Sequence, residues 1–307
     1  MLYTITFNPA VDVVMNLDNL QLGALNRVEK DSYVAGGKGI NISVLLKRLG
    51  YDNVATGFIG GFTGDFIHDS LTAEGVKPEF IKLDAMTRIN VKLKAQEETE
   101  INGKGPVIDA ANIEKLFNYF EERLTEGDAV FLAGNTAPGM TSDHFVRMAQ
   151  LCQIRKAHFV LDTNKDLLTA CLAYHPFLIK PNADELSEIF QTPIDSLASV
   201  IHYAKELQVL GATNIIVSLG GKGAVLLTET GDVYQSYVPK GQVINSVGAG
   251  DSMVAGFVAK YIETQDYVES LKQGAACGSA TAFSVGIAQA DLVDALVKEI
   301  KVERIGE

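Results

Sequence analysis

The sequence predicts a doubly wound, mostly parallel α/β sheet with helices on both faces, joined by a small β-sheet lid. Three observations predict it. From about Asn112 onward, short runs that are apolar throughout alternate with segments whose apolar residues recur at helical spacing. Strands of that kind are buried on both faces, as in a parallel sheet flanked by helices. The first hundred residues instead carry segments that mix apolar and polar residues, as strands with one wet face do. Third, no internal repeat, low-complexity tract or linker-like stretch interrupts the 307 residues. A single domain over 1–307 is expected, with the lid formed by about 11–35 and 88–102.

In chain order, Leu2 to Phe7 is apolar enough for a core strand. Val11 to Leu20 and Asn26 to Ala35 read as half-wet strands. Ala35-Gly36-Gly37-Lys38-Gly39-Ile40-Asn41 opens a segment with Ile40, Val44, Leu45 and Leu49 on one helical face. Arg88 to Ala95 and Thr99 to Asn102 are again half-wet and can pair with the first two into a small sheet, a natural lid over a cleft. Ile113, Leu116, Phe117, Phe120 and Leu124 then mark a helix, and Ala129 to Ala133 a strand. Phe145, Met148, Ala149 and Cys152 mark another helix before the strand His158 to Asp162. Phe177 to Ile179 and Ile215 to Leu219 continue the series.

Composition excludes several classes. A chain of this length can bury roughly 75% of its unfolded surface, so it needs no staples. Apolar residues at 47% and charged residues at 21% are ordinary for a globular protein. Lys plus Arg is 26 and Asp plus Glu is 38, a net charge of −12 with no basic block. Nucleic acid and anionic membrane are therefore not expected partners. Any anionic ligand must be held by a local cationic cluster. Cys152, Cys171 and Cys277 are far apart and form no CxxC, which suits a reducing cytoplasm and gives no metal site. Met1 to Asn8 lacks a basic n-region, and no long apolar run occurs, so neither a signal peptide nor a membrane span is expected.

No GxxxxGK[ST], strict GxGxxG after a strand, GxSxG or paired-histidine zinc motif is present. The strongest positive is Asn245-Ser246-Val247-Gly248-Ala249-Gly250-Asp251-Ser252, leading into the apolar Met253 to Phe257. Glycines at a helix start let backbone N–H groups approach an anion, and the helix dipole favours it. Asp251 falls in the first turn, where an acidic residue also serves plain helix stabilisation. A Gly-Asp-Ser nucleophile finds no His/Asp partners in the sequence. The Gly36 to Asn41 segment offers close approach with Lys38 and Asn41 as donors, or only a tight turn before a helix. In Lys180-Pro181-Asn182-Ala183-Asp184-Glu185, Asn182 and Glu185 can share a helix face and hold the water shell of Mg²⁺, or simply cap the helix. Ser218-Leu219-Gly220-Gly221-Lys222-Gly223 is either a β-turn or a rest for a nucleotide.

These four segments, in this order, resemble the ribokinase-like (PfkB) family of carbohydrate kinases. The GGKGIN and VGAGDS segments match its two signatures, and the resemblance extends over essentially the whole chain. Thr6-Phe7-Asn8-Pro9-Ala10-Val11-Asp12, Asn26-Arg27-Val28, Thr87-Arg88-Ile89-Asn90-Val91-Lys92 and Thr99-Glu100-Ile101-Asn102 narrow it to members acting on ketohexose phosphates. The resemblance implies ATP-dependent conversion of fructose 1-phosphate to fructose 1,6-bisphosphate, with tagatose 6-phosphate or a neutral sugar as alternative acceptors. It implies Asp251 as base, and Gly248, Ala249 and Gly250 as N–H donors to the transferring phosphoryl. Asp12, Gly37 and Asn41 would grip the sugar, and Arg27, Lys38 and Arg88 its phosphate. Ser218, Gly220, Gly223 and Asn182 would contact ATP, with Mg²⁺ near Asn182 and Glu185. A homodimer through the lid sheet follows by the same resemblance. Two segments depart from the family pattern: Gly134-Asn135-Thr136-Ala137-Pro138-Gly139 and Asn164-Lys165. A sensor that keeps the fold without turnover, and a hydrolase, are the competing classes.

Overall fold

The computed structural model describes residues 1–305. The chain opens with β1 (Leu2–Thr6), β2 (Ala10–Asn16), β3 (Lys30–Gly36), α1 (Lys38–Arg48), β4 (Asn53–Gly60) and α2 (Gly61–Ala73). The short β5 (Lys77–Pro78) and β6 (Ile81–Leu83) precede β7 (Arg88–Lys94) and β8 (Glu98–Asn102). Next come α3 (Ala110–Arg123), β9 (Ala129–Ala133), α4 (Ser142–Arg155), β10 (His158–Asp162), α5 (Lys165–Cys171) and β11 (Leu178–Ile179). After α6 (Ala183–Phe190) and α7 (Leu197–Val209) lie β12 (Asn214–Ser218), β13 (Ala224–Leu227) and β14 (Val233–Ser236). α8 (Ala249–Thr264), α9 (Tyr267–Ala282), α10 (Ala290–Val297) and β15 (Val302–Arg304) follow.

The main sheet runs β15-β14-β13-β12-β11-β10-β9-β1-β4-β5, with β6 beside β4. From β12 to β4 every pairing is parallel; β13, β14 and β15 add an antiparallel edge. Side chains alternate between two cores, as the period of a strand requires. Ile5, Val130, Leu132, Leu161 and Ile215 pack with α3, α4 and α7. Phe131, Val160 and Ile216 pack with α1, α8 and α9 on the other face. The expected doubly wound, mostly parallel sheet is therefore what the chain forms. Among the described residues no helix is long and apolar enough to cross a membrane.

A separate four-stranded sheet runs β3-β2-β7-β8. Its two halves come from the two expected segments, but the two strands of the first half are shorter than expected. β2 ends at Asn16 rather than Leu20, and β3 begins at Lys30 rather than Asn26. Asn26 explains the difference. Its side chain accepts from the Gln21 amide at 2.8 Å and donates to the Gln21 carbonyl at 2.8 Å. The connection folds on itself instead of joining the ladder. Arg27 thus lies in an exposed connection, not on a lid strand. Val11 and Val13 of β2 pack on Ile67 and Leu71 of α2, which fixes the small sheet to the body.

Candidate active site

Parallel strands end together, so the residues that follow them crowd one edge of the sheet, where open α/β sheets hold ligands. Here that edge and the small sheet enclose a cleft of about 460 Å³. Asp12 and Lys92 enter from the lid, Lys38 and Asn41 from α1, Asp162 from β10, Lys180 after β11, and Asp251 from α8. The cleft wall carries four carboxylates (Asp12, Asp162, Glu185, Asp251) and four cations (Lys38, Arg88, Lys92, Lys180). It is locally neutral inside a chain of net charge −12.

The glycine segments work as local conformation demands. Gly248 caps α8 at φ +81°, the left-handed region that favours glycine. Gly250 has no side chain, so Lys180 Nζ can come close; a Cβ there would stand 3.0 Å from it. Asp251 sits in the first turn of α8, only 5% exposed, and accepts a hydrogen bond from Asn41 Nδ2 at 2.8 Å. Burial first, and then the nearby Asp162 charge, push its carboxyl up to about 6, against the pull of Lys38, Asn41 and Lys180. The Ala249 amide already donates to the Ser246 carbonyl at 3.2 Å. Among the described residues the Gly248 and Gly250 amides have no such partner.

Among the described residues Asp162 is the least exposed charged group, at 3%. Lys38 Nζ lies 3.1 Å from its Oδ2 and Lys180 Nζ 3.7 Å from its Oδ1. The Lys38 approach is an ion contact rather than an aligned hydrogen bond, since Oδ2 has no partner of hydrogen-bonding geometry. Burial alone would raise the Asp162 carboxyl; Lys180 and Lys38 together hold it low. Burial would lower the Lys38 ammonium, and Asp162 with Asp251 keep it raised.

On the lid, Asp12 accepts from Asn90 Nδ2 at 2.9 Å and pairs with Lys92 at 3.3 Å, Lys92 in turn lying 3.9 Å from Glu100. Arg88 lines the cleft with its guanidinium anchored on the carbonyls of Asn8 and Gly103, at 2.9 to 3.1 Å. Asn182 and Glu185 do form the capping arrangement of α6. Asn182 Oδ1 accepts from the Glu185 amide at 2.7 Å, and Glu185 Oε2 accepts from the Asn182 amide at 2.8 Å. Both still face the cleft, and Glu185 Oε1 makes no hydrogen bond among the described residues.

A second cavity of about 350 Å³ opens on the far side of Gly250. Ser218, Gly220 and Gly223 lie in its wall, with apolar surface from Val243, Met253 and Phe283 and the small residues Ala275, Gly278 and Ala282 of α9. A groove holding Lys180, Asn182, Ser218 and Gly220 runs alongside and shares Gly250. The structure thus gathers Asp12, Gly37, Lys38, Asn41, Arg88, Asn182, Glu185, Gly248, Gly250 and Asp251 around one cleft, and Ser218, Gly220, Gly223, Ala249 and Gly250 around the next. Arg27 is not among either set. Sequence reasoning gave Asp162, Lys180 and Lys92 no role in the site, although all three lie inside segments it quoted.

A family model described as pfkB family carbohydrate kinase matches residues 5–293. The chain belongs to the pfkB family of carbohydrate kinases. It is 43% identical to the 1-phosphofructokinase of Bacillus subtilis (strain 168), over 99% of this chain and all of that one. It is 36% identical to the D-tagatose-1-phosphate kinase of Bacillus licheniformis, with the same coverage. The fold matches phosphofructokinase-2 from Escherichia coli, crystallised with substrates and products, at a TM-score of 0.90 and 25% identity. That match covers 97% of this chain and 98% of the other.

Proposed function

We propose that this pfkB kinase transfers the terminal phosphoryl group of ATP to the 6-hydroxyl of fructose 1-phosphate, giving fructose 1,6-bisphosphate. The observation that carries this reading is the place of Asp251. A buried carboxylate stands at a helix N-terminus where a polar, charged cleft meets a largely apolar one, and Gly250 belongs to both. A carboxyl raised to about 6 is ionised at neutral pH yet basic enough to take a hydroxyl proton. The Gly248 and Gly250 amides point the α8 dipole at the phosphoryl in flight. Asp12, steadied by Asn90 and Lys92, grips sugar hydroxyls together with Asn41 and the Gly37 backbone. Arg88 and Lys92 supply lid cations for the phosphate already on the sugar. Lys38, ion-paired to Asp162, belongs nearer the transfer centre than the sugar phosphate. The apolar cavity suits adenine, with Ser218, Gly220 and Gly223 at its edge.

The donor set fits Mg²⁺ held through water. No group of three metal-ligating side chains exists among the described residues, and Mg²⁺ keeps several waters. Asn182 and the free Oε1 of Glu185 would hold its water shell, and the ion would neutralise charge on the ATP phosphates. The three buried, unpaired cysteines support a reducing, cytoplasmic setting. Exposed apolar residues on the lid support a homodimer through that sheet. A second acceptor, tagatose 1-phosphate, is favoured by the 36% identical relative of that specificity.

A coupled assay for ADP release tests the reading, with fructose 1-phosphate, tagatose 1-phosphate, fructose 6-phosphate, tagatose 6-phosphate, fructose and ribose as acceptors. Fructose 1-phosphate should give the highest kcat/KM. A neutral sugar outperforming every sugar phosphate would make this a neutral-sugar kinase. ADP release that ignores all acceptors would make it a hydrolase, and no ADP release with any acceptor a sensor.

A further inference from the structure

We propose that Asp162 is a positioning residue for phosphoryl transfer: from the end of β10 it holds the ammonium groups of Lys38 and Lys180 together where the two clefts meet. The inference rests on the kinase reading above. Asp162 is 3% exposed and Lys180 7%. The two lysines come from different elements, the start of α1 and the turn after β11, and share no segment that would set their spacing. Without a carboxylate between them the two ammonium groups would repel and swing apart.

Stability does not account for the arrangement. A buried ion cluster is commonly no better than apolar residues of the same volume. Nor does the strand need this side chain, because the Asp162 carbonyl, not its carboxylate, accepts from the Gly134 amide at 2.9 Å. One carboxylate oxygen, Oδ2, is buried without an aligned donor although Lys38 Nζ is 3.1 Å away. The lysines are therefore held near but not consumed. Each ammonium has three donors and can turn some of them to an arriving phosphoryl oxygen. Positive charge fixed in advance at the point where transition-state charge develops is the form of catalysis that preorganised sites use.

The same carboxylate acts on the proposed base. The groups facing Asp251 are Lys38 and Asn41 from α1, Asp162 from β10 and Lys180 after β11. Asp12, Arg88 and Lys92 face the cleft from the lid, and Glu185 from α6. Of the groups that act on Asp251, Asp162 is the one whose negative charge opposes its ionisation.

The test measures kcat, KM and the pH profile of kcat/KM for the wild type, Asp162→Asn and Asp162→Glu, with near-ultraviolet circular dichroism to check folding. Asp162→Asn should lower kcat about tenfold or more with both KM values nearly unchanged. Its acidic limb should move down by about half a unit or more, because Asp251 loses a repelling charge. Asp162→Glu keeps the charge, so the limb should stay, while one extra methylene displaces the lysines and lowers kcat several-fold. A folded Asn variant with near-normal kcat overturns the proposal. So does one whose activity falls while the limb stays, since that is merely structural damage. If the Asn variant does not fold, the Glu variant decides: near-normal kcat overturns, a lowered kcat with an unmoved limb supports. A wild type that releases no ADP with any sugar phosphate refutes the kinase reading itself, a result separate from either variant's.

Discussion

Asp251 is the residue on which the chemistry and the stability of this fold pull in opposite directions. As the proposed base it must be ionised, and burial resists that. Asp251→Asn should lower kcat by at least about 10²-fold, the lower end of what general-base assistance supplies. The wild-type kcat/KM should fall as pH drops through about 6, where the carboxyl takes up its proton. The stability sign is the reverse of the usual one for aspartate. A folded-state value near 6 against 3.8 in the unfolded chain means the native state binds the proton more tightly. Its favourable contribution is complete below the unfolded value and is lost as pH rises through the folded one. The Asn variant should therefore be more stable than the wild type at pH 8 by about 2–3 kcal/mol, two units at 1.36 kcal/mol each. That gain should vanish toward pH 4. Thermal melts of both proteins at the two pH values check it; equal melting shifts at both would mean that Asp251 is not held in this strained ionisation. Asp251 was legible in the sequence because glycines announce it. Asp162 and Lys180 were not, because each ends an apolar run as any solvent-facing residue would. Only the parallel pairing of β9, β10 and β11 turns those strand ends inward to one point.

At the scale of elements, α6 separates two roles that one sequence pattern joins. Asn182 and Glu185 were expected either to cap a helix or to serve a metal, and the capping geometry is present. Gln at the third helical position keeps the reciprocal cap while removing the charge. Glu185→Gln should thus leave the melting temperature nearly unchanged and raise the Mg²⁺ concentration for half-maximal rate, with the KM for the sugar phosphate little altered. An unchanged metal titration would leave α6 with capping alone. The lid strands show the opposite side of legibility. Their mixed faces were readable from alternation, and so was their pairing. Their ends were not, because alternation continues past Asn16, while the turn that halts pairing depends on a side-chain bond from Asn26 back to Gln21. The antiparallel edge of β13 to β15 was equally hidden, since β13 carries the same apolar run as a central strand, while β14 and β15 are short and mixed.

For the whole molecule, the lid is where exposure and composition disagree. Leu25 is 78%, Tyr33 57% and Ile101 59% exposed, all on one small sheet or its connection. By register, Tyr33 and Ile101 stand on the face that carries Val13 and Val91, away from Asp12 and Lys92. Val13 of that face packs on α2, so it is the two edge strands, β3 with Tyr33 and β8 with Ile101, that leave apolar side chains in water. Such side chains mark a contact surface more often than a solvent face. A second copy of the lid, packing symmetrically, would cover them without blocking the cleft side. Burying such a side chain is worth about 1.5–3 kcal/mol. A two-fold interface contains each substitution twice, so one charged replacement removes about 3–6 kcal/mol, or roughly 10²–10⁴-fold in Kd. Sedimentation equilibrium should give twice the 33.1 kDa chain mass for the wild type. Tyr33→Asp or Ile101→Asp should shift the protein to the chain mass at micromolar concentration, with the monomer still folded because neither side chain belongs to a core cluster. A wild type of single-chain mass would end the dimer reading, and a variant that stays double would place the interface elsewhere than on these two residues. The lid also supplies Asp12, Arg88 and Lys92 to the cleft. Dissociation should therefore raise the KM for the sugar phosphate more than that for ATP, whose proposed cavity lies against α8 and α9, away from the lid.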